Sequence, residues 1–198
     1  MDIAGARRKA ARIAAVLRYA RNGSAKRDLA AELGAALRAR SQPPAEIGEL
    51  CRALCEEMSA RRGGRPVQLR FERFPDEIEV TGLWVEFQDF DLVIVEERAE
   101  AVQQLVILGH ELWHIQAGHR HHHAAAELAL AGRPGWDDIA LTVAARNGSR
   151  ETDEAEADDF GHRLAAAVRP CLSDRDGDAA LGPVQRSMGY RVRRGTAR

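Results

Sequence analysis

The sequence predicts an α+β fold, mostly helical, with a small sheet of about three strands packed against one long helix. Three observations lead there. Apolar residues recur at helical spacing over most of the 198-residue chain. Between residues 67 and 95 the period shortens to two, as in half-buried strands. Strands do not alternate with helices, which argues against a parallel βαβ arrangement.

Taken in order, residues 3–20 and 24–40 read as two short amphipathic helices. Ala10, Ile13, Ala14 and Leu17 share one face of the first, and Leu29, Leu33 and Leu37 one face of the second. "RNGS" separates them, with Ser24 as candidate N-cap, and "SQPPAE" then breaks the chain. Residues 1–41 are thus expected to form a basic N-terminal helical extension. Ile47, Leu50, Cys51, Leu54, Cys55 and Met58 make a helical stripe that ends at "RRGGRP". "VQLRF" is a strand, and "IEVTGLWVEF" and "DLVIV", joined through "QDFD", form a hairpin. A long helix begins near Glu97. It is followed by "AAAELALAG", the loop "RPGW", a helical segment over 137–146 and a second "RNGS". "ETDEAEADDFGHRLAAAV" is the last helix, stopped at Pro170. Residues 46–170 form the main domain, and 171–198 an Arg- and Gly-rich tail.

A chain of this length buries one good core, with little left for a second. A net charge of −1 gives no general attraction to nucleic acid or membrane. The charge is uneven, because ten basic residues up to Arg40 face only Asp2, Asp28 and Glu32. A solvated helix face accounts for this. Contact with nucleic acid through that arm is the one route left open, since no recognition helix is visible. Cys51, Cys55 and Cys171 give no disulfide framework, and the first two read as small core residues. No apolar run approaches membrane-spanning length, and "IAAVL" is too short for a signal peptide, so the expected location is the cytoplasm.

The chemistry concentrates in "GHELWHIQAGH", residues 109–119. His110 and His114 stand four apart, so on a helix both imidazoles project from one face at a separation suited to one Zn²⁺. Glu111 cannot easily share that ion, but it can reach a water beside it and move the proton. A chance match to H-E-x-x-H in such a chain is on the order of 1 in 50, so the surroundings decide. The motif sits within a helix after a hydrophobic strand, with "LVIL" packed before it.

A catalytic zinc needs a third protein ligand. His119 is a poor one, because Ala117 stands where the extended pattern requires glycine and His119 arrives one residue early. Glu154 is the better candidate. On the last helix it shares a face with Asp158, Ala157, Gly161, Leu164, Ala165 and Val168. Asp158 would accept the free N–H of a ligating histidine. Ala157 and Gly161 are small enough to let the two helices approach closely. Glu156, on another face, is the alternative ligand. An acidic helix start favoured by the macrodipole is the bland reading of these carboxylates. Trp84 and Trp113 read as core, with Trp113 also able to line a cleft. His121 to His123 read as a solvated loop and "DRDGD" as a polar turn. Tyr190 and His162 are candidates to face a developing oxyanion, and the sequence favours neither.

"LVILGHELWHIQAGH" followed by "EAEADDFGHRL" resembles the ImmA/IrrE-type metallopeptidases, which are gluzincin-like. The second stretch follows their glutamate-helix signature except for Gly161, where an alanine is usual. The resemblance covers roughly residues 46–170. It implies zinc at His110, His114 and a downstream glutamate, with Glu111 catalytic. It also implies proteolysis of a regulatory protein, a helix-turn-helix repressor or antitoxin, and some such proteins are toxin components of toxin–antitoxin pairs. The same residues suit a second role, a zinc-containing protein that sequesters its regulator without cutting it.

Overall fold

The computed structural model describes residues 22–74, 76, 80–118 and 150–172. The expected helix over 3–20, the segments 124–132 and 137–146, His119, His121 to His123, the 174–178 turn, Tyr190 and nearly all of the tail lie outside them. The described residues form four α-helices and a three-stranded mixed sheet, an α+β arrangement dominated by helix.

Helix α1 covers 22–39. Its Leu29, Leu33 and Leu37 are fully buried, as their shared face requires. The chain is already helical at Asn22, and Ser24 instead hydrogen-bonds Asp28 one turn on, so Ser24 is not the cap. The helix is continuous through Ser24, and Asn22 Nδ2 donates to Glu156 at 2.7 Å, which holds this turn against a distant part of the chain. Helix α2, Ile47–Arg61, buries Leu50, Cys51, Leu54, Cys55 and Met58. Gly63 and Gly64 end it in the left-handed region, at φ 71° and 89°, which glycine enters without steric cost. Ser59 Oγ donates to Cys55 O at 2.7 Å and accepts from Val67 N at 2.8 Å, tying the end of α2 to the first strand.

Strands β1 (Val67–Glu72), β2 (Gly82–Glu86) and β3 (Asp91–Glu96) lie in the order β1-β3-β2. The central β3 is buried along its whole length, pairs parallel with β1 and closes an antiparallel hairpin with β2. β2 starts at Gly82, four residues later than the alternation suggested. Arg98 reaches back to Asp76 at 2.5 Å and to Glu96 at 2.9 Å, which holds Asp76 at the end of β3. The buried Glu96 carboxylate also accepts the N–H groups of Phe74 and Arg98, so residues after it turn before α3 (Ala101–Ala117) begins. Asp91, fully buried, is paired with Arg65 at 2.9 Å and Arg62 at 3.1 Å and accepts Trp84 Nε1 at 3.0 Å. A buried carboxylate is tolerable only when so satisfied. The network locks the β2–β3 hairpin to the exit of α2.

Helix α4, Arg150–Val168, packs along α3, and a 3₁₀ turn, Arg169–Cys171, follows it. One apolar cluster joins α1, α2, α3, α4 and one sheet face, through Val67, Val93 and Val95. Leu83, Val85, Leu92, Ile94 and Phe74 form a second cluster on the opposite face. Over 22–39 the basic N-terminal stretch therefore contributes to the same core as the rest. Among the described residues, no helix is long and apolar enough to cross a membrane.

Candidate metal centre

Two helices build the centre, and two glycines set their separation. A Cβ at Gly161 would lie 2.5 Å from Val106 O, and one at Gly109 would lie 2.8 Å from Gly161 Cα. Only hydrogen fits at both positions, so α3 and α4 touch backbone to backbone one residue before His110. From α3, His110 and His114 project together, with their Nε2 atoms 2.9 Å apart. From α4, Glu154 Oε2 comes within 3.3 Å of His110 Nε2 and 3.8 Å of His114 Nε2.

These three separations suit one ion. Metal–ligand bonds of 2.0–2.1 Å in a tetrahedron put neighbouring ligand atoms about 3.3 Å apart. The observed edges of 2.9, 3.3 and 3.8 Å bracket that value. Two imidazole nitrogens at 2.9 Å also cannot face each other with bare lone pairs, so a proton or a cation must sit between them. Glu154 Oε1 is buried and has no hydrogen-bond partner among the described residues, so an acceptor is left over for such a cation. Among the described residues, His110, His114 and Glu154 form a group able to hold a metal ion.

Asp158 stands on the other side of His110, its Oδ1 2.8 Å from Nδ1. A carboxylate accepts, so Nδ1 carries the hydrogen and Nε2 is left to face the centre. Glu156 is elsewhere. It takes the Asn22 amide and points away from the two histidines, so Glu154 rather than Glu156 joins them. Burial opposes a charge on His110, but the Glu154, Glu111 and Asp158 carboxylates outweigh it and push the imidazole up to about 9. Hydrogen bonds from His110 and then His114 hold the Glu154 carboxyl well below its usual range.

Glu111 is buried, and burial raises its carboxyl above the usual range. It takes a backbone hydrogen bond from Trp84. The register explains this contact. Phe87 N–H donates to Phe90 O and Glu96 N–H to Thr81 O, so alternate residues of β2 bond β3 and Trp84 directs its N–H outward. Gly82 leaves room for the carboxylate, since a Cβ there would lie 2.7 Å from Glu111 Oε1. The site opens into a half-open cleft of about 210 Å³. Its walls are Val80, Thr81 and Gly82 at the start of β2, Gln103, Val106 and Ile107 of α3, and the four residues His110, Glu111, Glu154 and Asp158.

Trp113 is buried and tilted against Phe160, with ring centroids 5.2 Å apart, and does not line the cleft. His162 is exposed on α4, also outside the cleft. Cys51, Cys55 and Cys171 are buried free thiols. Sequence reasoning passed over Gly82, Gly109 and the Trp84 backbone. A glycine inside a strand and another inside a helix were the available signals, since both are disfavoured there without close packing. No family model matches the chain, and comparison with curated proteins and with solved structures finds none similar to it.

Proposed function

We propose that the chain is a zinc-dependent metalloendopeptidase of the ImmA/IrrE kind that hydrolyses a peptide bond in a regulatory protein. The observation that carries this reading is the convergence of His110, His114 and Glu154 beside a buried Glu111, with Asp158 orienting the first histidine. Two imidazoles and one carboxylate form the donor set of a catalytic rather than a structural zinc, because a fourth position stays open. A zinc ion there would supply Lewis acidity, drawing charge from a carbonyl oxygen and easing loss of a proton from water.

The remaining steps belong to the chain. Asp158 keeps the His110 ring in one tautomer and one orientation. The Glu111 carboxylate takes a proton from water as its oxygen adds to the carbonyl carbon. It then delivers that proton to the amine nitrogen as the C–N bond breaks. Burial suits the task by bringing the carboxyl's proton affinity closer to that of neutral solution. The β2 edge beside Glu111 offers backbone groups to an extended peptide.

The test uses the full chain loaded with zinc, incubated with helix-turn-helix regulators of the same organism and analysed by mass spectrometry. Discrete fragments are expected with the wild type and none with Glu111→Gln, which should keep its metal. Equal cleavage by that variant would refute the mechanism. Zinc uptake and regulator binding without fragments would favour the sequestering role instead.

A further inference from the structure

We propose that Lys26 is a positioning residue for the metal centre, acting through Asp159 to fix the rotation of α4 about its own axis. The inference rests on the reading of His110, His114 and Glu154 as metal ligands.

Lys26 is only 4% exposed, unusual for a lysine. Its Nζ lies 2.6 Å from Asp159 Oδ2, and Asp159 follows directly after the carboxylate that orients His110. One turn earlier on α1, Asn22 donates to Glu156 at 2.7 Å. At about 100° per residue, Glu154 and Asp158 lie on one flank of the buried stripe of α4, Glu156 lies on the other, and Asp159 lies beyond Glu156 toward the back of the helix. The first flank faces the histidines and the second faces α1. Further along, α1 and α4 remain in contact, with Cys171 Sγ, just after α4, hydrogen-bonding Gly34 O at 3.8 Å.

The Gly109–Gly161 contact sets how closely α3 and α4 approach, but a contact so near the helix axis has a short lever arm against rotation of α4. Carboxylate tips lie roughly 6 Å from the helix axis, so a turn of about 10° swings them by about 1 Å. A metal site needs its ligands held within about 0.5 Å. Polar links on the far flank are directional where apolar packing is not, and they oppose that swing. Among the described residues, Lys26 is the buried one of the two side-chain donors that α1 offers α4.

Zinc affinity of the full chain, read by competition with a chromophoric chelator, tests this together with the absorption spectrum of the Co²⁺-loaded protein. Lys26→Met should fold, since methionine fills the buried channel, and should bind zinc about tenfold more weakly, with altered cobalt bands. Lys26→Arg should recover affinity to within about threefold, which general destabilisation would not explain. Asp159→Asn, at a half-exposed position that folding tolerates, should repeat the loss even if Lys26→Met proves insoluble. Wild-type affinity and an unchanged cobalt spectrum in Lys26→Met or Asp159→Asn would overturn the inference alone. A wild-type chain that takes up no metal would overturn the proposed function, and this inference with it.

Discussion

Replacing Gly161 with alanine should damage the candidate metal centre through the helix crossing beside it. The new Cβ would lie 2.5 Å from Val106 O and 3.2 Å from His110 N, whereas ordinary contact begins at 3.4 Å. Both neighbours are backbone of α3 and cannot swing aside. The helices must therefore part by about 0.9 Å at the crossing. That displacement carries Glu154 Oε2 from 3.3 Å to beyond about 4 Å from His110 Nε2, too wide for both to bind one ion without bringing the strain back. Overpacking of this kind costs about 1–3 kcal/mol, offset by about 1 kcal/mol from the better helix propensity of alanine. A net loss of up to about 2 kcal/mol in metal-free stability is expected, with zinc affinity falling roughly 10- to 100-fold. Chelator competition and denaturant unfolding measure the two. Ala166→Gly, exposed on the same helix, is the control, expected to lower stability by about 1 kcal/mol with zinc affinity unchanged. If Gly161→Ala binds zinc like the wild type and gains stability, the crossing does not hold the site.

Asp158→Asn should keep the fold but weaken zinc binding roughly 10- to 100-fold, read by the same competition, because the amide no longer enforces the His110 tautomer. Zinc affinity should rise about tenfold per pH unit up to about 9, since binding displaces the proton that the surrounding carboxylates hold on His110. The sign follows from a raised value. That proton stabilises the metal-free fold fully below 6.5, and the contribution is lost as pH rises through about 9. Calorimetric titration at several pH values would check both slopes. Glu96→Gln should cost up to ~3 kcal/mol at neutral pH, at about 1.4 kcal/mol per unit. The Arg98 guanidinium holds this buried carboxyl down at about 2, so its contribution is present above 4.5 and is lost as pH falls toward 2. The variant's deficit in urea unfolding should shrink over that window.

Most of the local order was legible because it is written in periodicity. The α2 stripe and the burial of β3 follow directly from where apolar residues recur. His110 and His114 were legible for the same reason, since four residues on a helix make a fixed vector. Glu154 was ranked above Glu156 because it shares a face with Gly161 and Leu164, and that face is buried against α3. What escaped was set by tertiary contacts. The Arg98–Asp76 pair and the Asn22–Glu156 contact each join residues far apart in the chain, the latter more than a hundred residues apart. Neither partner can be read from local pattern. Lys26 looked like one more charge in a basic stretch, and only its burial against Asp159 sets it apart from Arg27 beside it.

The proposed zinc at His110, His114 and Glu154 is tested by the metal content and affinity of Glu154→Gln and Glu156→Gln, measured side by side with the wild type. One zinc per chain is expected in the wild type and in Glu156→Gln, with binding weakened at least ~100-fold in Glu154→Gln, which loses an anionic ligand. Stoichiometric, tight zinc in Glu154→Gln, or its loss in Glu156→Gln, would contradict it.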